Sequence, residues 1–66
     1  MIIQWKNKWS GETGFVKKLN RKGRYFENTF YANEALKVSP KTVENTLSLL
    51  NEWCADNTYE VVEIKK

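Results

Sequence analysis

Two short polar segments that carry glycine, Ser10–Gly14 and Asn20–Gly23, separate three runs of alternating apolar and polar residues. Connections this tight join only neighbouring antiparallel strands, because a parallel pair needs a crossover of about a dozen residues or more. The first half of the chain is therefore expected to fold as a β-meander. In the run Ile2 to Trp9, residues Ile3, Trp5 and Trp9 share one parity against Gln4, Lys6 and Lys8, with Asn7 the one polar residue on the apolar side. Period two with aromatic enrichment marks a half-buried strand. Phe15 to Leu19 alternates next, Phe15 and Leu19 against Val16 and Lys18, with Lys17 on the Phe15 parity. Arg24 to Phe30 follows, with Phe26 and Phe30 on one face and Tyr25, Glu27 and Thr29 on the other. The glycines at 11 and 14 suit the positive φ of a hairpin connection, and Asn20-Arg21-Lys22-Gly23 suits a type I turn closed by a left-handed residue.

Beyond Tyr31 the period changes. Tyr31 to Leu36 has neither alternation nor glycine and is expected to be one helical turn or an irregular crossover. Ser39-Pro40 then signals a helix start, serine as N-cap and proline at the first helical position, where a missing N–H costs nothing. Val43, Leu47, Leu50 and Cys54 recur at intervals of 4, 3 and 4, a narrow apolar stripe, with Lys41, Glu44, Asn45, Ser48, Asn51 and Glu52 opposite. An amphipathic helix from about Pro40 to about Ala55 follows, stopped at Asp56-Asn57 with asparagine in the left-handed C′ position. Tyr59 to Ile64 reads as a last strand whose pairing the sequence leaves open. The expected fold is α+β, a two-layer β-β-β-α-β with the helix across one sheet face, and its expected core is Ile3, Trp5, Phe15, Leu19, Phe26, Phe30, Val43, Leu47, Leu50 and Ile64.

Size restricts function as much as fold. Sixty-six residues make one small domain, 1–66, too short for a deep cofactor cleft. The chain has one cysteine and no histidine, so no internal disulfide, zinc finger or redox pair can form, and no cofactor is expected. Apolar runs stay far below the ~20 residues that span a bilayer, and Met-Ile-Ile-Gln-Trp lacks the features of a secretory leader. A reducing cytoplasm is the expected location for the lone thiol. Catalysis finds little footing: Glu60 and Glu63 fall on opposite faces of a strand, Glu34 and Glu44 on separate elements, and Cys54 lies on the apolar stripe as a small hydrophobe. Gly11-Glu12-Thr13-Gly14 lacks the lysine and following helix of a phosphate-binding loop. A non-enzymatic protein is expected.

Charge is polarised along the chain. Residues 1–24 hold seven lysines and arginines against Glu12 alone, a net of +6; residues 25–64 hold Lys37 and Lys41 against seven carboxylates, a net of −5; Lys65 and Lys66 complete the total of +3. Lys6, Lys8, Lys18, Arg21, Lys22 and Arg24, with Tyr25 for stacking, are the candidate surface for nucleic acid or an acidic partner. Lysines on a solvent face equally protect a sheet edge from pairing, so the same residues have a structural role open to them. Leu49 and Trp53, at the margin of the helical stripe, are the candidate apolar surface for a protein partner, or else pack against the crossover.

Several landmarks, Glu12-Thr13-Gly14-Phe15-Val16 opening the second strand, Tyr25-Phe26 in the third, and Thr29 followed by Ala32, Ala35, Leu36 and Lys37, resemble those of small orphan proteins encoded by phages and prophages of Gram-positive bacteria. The resemblance implies a stoichiometric binder that inhibits or redirects a host protein. The order of three strands then helix is also similar to the arm-binding N-terminal domain of phage integrases, which reads DNA with its sheet. The acidic helix and the extra C-terminal strand depart from that pattern. The expectation is thus a cytoplasmic binding module acting on a protein partner, with nucleic-acid binding by the basic meander as the alternative, and with a homodimer through an unpaired sheet edge as a further possibility.

Overall fold

The computed structural model describes residues 1–63. Its elements are β1 (Ile2–Asn7), β2 (Thr13–Asn20), β3 (Tyr25–Thr29), a 3-10 turn (Ala32–Glu34), α1 (Val43–Trp53) and β4 (Asn57–Val62). The four strands form one antiparallel sheet in the order β3-β2-β1-β4, with α1 on one face. The α+β, β-β-β-α-β arrangement read from the sequence is the observed one. The last strand lies beside β1 in unbroken register from Ile2 opposite Val62 to Asn7 opposite Asn57. The expected continuation of that strand to Ile64, and the place of Ile64 in the core, lie outside the described residues.

Burial departs from simple alternation in β2. The core joins Ile3, Trp5, Val16 and Leu50, with Leu19, Phe26, Val38, Leu47 and Tyr59 packed against it. Val16 is fully buried, whereas Phe15, the expected core residue, is half-buried on the other face opposite Gln4 and Thr29. A bulge explains both facts. Val16 pairs with Asn28 but Lys18 pairs with Glu27, so β2 carries one extra residue at Lys17. The extra residue lets Val16 and Leu19, three positions apart, face the helix together.

Trp9, on the apolar parity of its strand, and Phe30, expected in the core, are both outside for a common reason. Asn7 Oδ1 accepts the backbone N–H groups of Trp9 and Ser10, both at 2.9 Å, which turns the chain at Asn7 and leaves Trp9 82% exposed. Thr29 Oγ1 accepts the N–H of Tyr31 at 3.2 Å and donates to Glu34 Oε1 at 2.9 Å, ending β3 before Phe30, which is 66% exposed rather than in the core. The local side-chain bonds outcompete the ladder at both positions.

The crossover fastens the two layers. Leu36 N–H donates to Val16 C=O at 2.8 Å, and Val38 exchanges bonds with Met1 in both directions, at 2.8 and 3.2 Å. The helix then starts at Val43 with Thr42 as N-cap, not at Pro40: Ser39 C=O accepts from Thr42 and Val43 in a preceding turn, while its hydroxyl meets Thr42 Oγ1 instead of an orphan amide. The buried stripe is Val43, Thr46 and Leu50, and Leu47 and Cys54 are only half-buried. Thr46 tolerates burial because its hydroxyl donates to Thr42 C=O at 3.0 Å. The helix ends at Trp53, and Asn57 is extended in β4 rather than left-handed.

Candidate functional site

The basic residues of the meander do not form one surface. Lys6 lies opposite Thr13 and Thr58, and Lys8 donates its N–H to Asp56 C=O, so both stand at the β1–β2 turn. Lys18, Arg21, Lys22, Arg24 and Tyr25 stand at the β2–β3 turn, the other end of β2. Five residues separate Thr13 from Lys18, about 16 Å along a strand. The structure keeps the second group together and removes Lys6 and Lys8 from it.

The surroundings of the two groups differ in sign. Lys6 shares a shallow depression of about 360 Å³ with Gln4, Gly11, Thr13, Thr58 and Glu60, which continues across Lys6, Gly11 and Thr58 towards Lys8 and Trp9. The Glu60 carboxylate lines the same depression, and the Trp9 indole N–H points to Asp56 Oδ1 at 3.5 Å. At the β2–β3 turn, Lys17, Lys18, Arg21, Lys22 and Arg24 are all exposed, and Glu27, opposite Lys18, is the one carboxylate of residues 17–27.

Hydrogen bonds fix the shape of that turn. Asn20 Oδ1 accepts Gly23 N–H at 2.7 Å, and Asn20 Nδ2 donates to the Tyr25 hydroxyl at 3.1 Å. The Tyr25 ring lies so close to Gly23 that a Cβ there would stand 2.5 Å from it and the ring would have to shift. The left-handed residue expected to close the turn is Arg24, at φ 56°, not the glycine. Tyr25 remains 47% exposed.

On the apolar side, Leu49 and Trp53 are both half-buried on the helix flank. The large apolar side chains most open to solvent are instead Trp9, Phe30 and Tyr31, the last two adjacent and 66% and 65% exposed. Alternation puts Trp9 on the apolar side of its strand and Phe30 in the expected core. The signals that locate them outside are Asn7 and Thr29, turn-forming side chains two residues and one residue before them.

Tyr59, in β4, carries the strongest perturbation of any titratable group among the described residues. Burial pushes its hydroxyl up to about 12, against the counteracting bond from Asn57. The hydroxyl donates to Cys54 C=O at 2.9 Å, so it ties the end of α1 to β4. Among the described residues no helix is long and apolar enough to cross a membrane.

The fold and these surfaces define a small α+β domain whose accessible chemistry lies on turns and sheet ends. Comparison with protein-family models, curated proteins and solved structures found no match.

Proposed function

We propose that the protein is a non-enzymatic binding module that acts stoichiometrically on a protein partner, in the manner of phage and prophage accessory proteins that act on a host protein. The observation that carries this reading is the exposed pair Phe30–Tyr31. Its backbone is held in place, Tyr31 N–H by Thr29 Oγ1 and Tyr31 C=O by Glu34 N–H at 3.0 Å. Two large aromatics in solvent on a fixed turn lose little entropy on being covered, and aromatic anchors of this kind dominate interface energetics. The contact thereby moves from the half-buried Leu49 and Trp53 to the start of the crossover. The setting comes from the resemblance to phage and prophage proteins, and a cytoplasmic location from the lone thiol.

A photo-crosslinking side chain at position 30, compared with one at Lys41, tests the reading in a Gram-positive bacterial lysate. One adduct at a one-to-one mass ratio is expected from position 30 alone. The double variant Phe30→Ala, Tyr31→Ala is expected to lose the complex in gel filtration while its thermal melt is unchanged. Equal capture from both positions, or by the double variant, would rule the surface out.

A further inference from the structure

The charge in the β2–β3 hairpin exceeds that of the whole chain. Five cations against Glu27 give residues 17–27 a net of +4, whereas the full sequence carries +3, so everything outside the hairpin sums to −1. Solubility alone would be served by spreading these residues. Their concentration on one turn creates a local field that selects polyanions. The field has an aromatic ring at its centre: Tyr25, half exposed, its hydroxyl held by Asn20 and its ring laid against Gly23. Arg24 adds a third observation, because a left-handed φ of 56° is strained for arginine and would be free of strain for glycine.

We propose that this hairpin binds single-stranded nucleic acid, with Tyr25 stacking on an unpaired base and Arg21, Lys22 and Arg24 contacting the flanking phosphates. A duplex satisfies the cations but offers no free base face to the tyrosine, and a run of acidic side chains offers charge without an aromatic face. Unpaired bases supply both, since every base has a π-face and every linkage a charge. The site is separate from Phe30–Tyr31, and either can fail without the other.

Fluorescence polarisation with a short labelled oligothymidylate tests the proposal, with its duplex and polyglutamate as competitors. Three phosphate contacts predict a log–log salt slope of about −2 for a single strand. Tyr25→Ala is expected to weaken binding about tenfold or more, from the loss of one stacked base, while Tyr25→Phe keeps the affinity. Arg21→Ala with Lys22→Ala is expected to flatten the slope by about 1.4, and Lys6→Ala with Lys8→Ala to change nothing. Circular dichroism melts check that each variant folds. Absence of binding at low salt would overturn the proposal. So would a duplex that competes as well as the single strand with Tyr25→Ala indifferent, or polyglutamate that displaces the oligonucleotide equally well.

Discussion

The indole N–H of Trp5 donates to Asn28 Oδ1 at 2.7 Å across β2, passing over Gly14 on the intervening strand. A buried indole keeps its polar atom satisfied in this way, and the ring still packs its faces in the core beside Phe26 at 6.3 Å. Gly14 has no positive φ; it is small because a Cβ would stand 2.5 Å from Asn28 Oδ1 and 2.9 Å from Trp5 Nε1. Gly14→Ala is expected to cost about 1–3 kcal/mol as an overpacked contact. Asn28→Ala is expected to cost about 1–3 kcal/mol by leaving the N–H unpaired. Urea unfolding measures both, and an unchanged midpoint for either would remove the bond from the account.

The helix face makes a second contrast. Leu50 is fully buried in the core cluster, while Leu47 is packed against it but half open. Leu50→Ala is expected to cost about 2–5 kcal/mol, and Leu47→Ala distinctly less because part of its surface is already in water. Equal losses in thermal melts would show that both side chains are enclosed in solution.

These residues also show where the sequence was readable. Alternation located the strands, and the Val43-Leu47-Leu50 spacing located the helix, because both follow from backbone periodicity that core burial enforces. The bulge at Lys17 was not readable, since in the sequence it shows only as a lysine on the wrong parity. Thr46 entered the buried stripe because its hydroxyl closes onto Thr42, a bond that hydrophobicity does not register. Asn7 and Thr29 cut their strands short through side-chain bonds to the backbone, and that puts Trp9, on the apolar parity, and Phe30, from the expected core, at the surface. For the candidate site, the basic residues were legible as a list. Their division between two ends of β2 required the register.

Arg24 allows folding and binding to be separated. A non-glycine residue in the left-handed region costs about 1–2 kcal/mol, part of which glycine returns to the flexibility of the unfolded chain. Arg24→Gly is therefore expected to gain about 0.5 kcal/mol, raising the melting midpoint by roughly 2–4 °C for a domain of this size. The same variant removes a charge from the hairpin, so oligonucleotide affinity is expected to fall as stability rises. A lower midpoint would mean that the arginine side chain stabilises the turn it strains.

Tyr59 makes stability depend on alkaline pH. Its hydroxyl has an ordinary value of 10.0 and is raised by burial to about 12 in the folded chain, so the folded state holds this proton more tightly than the unfolded state. The stabilisation is fully present below about pH 10 and is lost as pH rises from there towards about 12. Its size is moderated by the partial exposure of the ring, through which solvent screens the phenolate. Tyr59→Phe removes the titrating group together with the bond to Cys54 C=O, which is expected to cost about 0.5–1.5 kcal/mol at neutral pH. Urea midpoints measured from pH 8 to 11 are expected to decline for the parent and to stay more nearly level for Tyr59→Phe. Parallel curves for the two proteins would show that the alkaline loss does not arise at Tyr59.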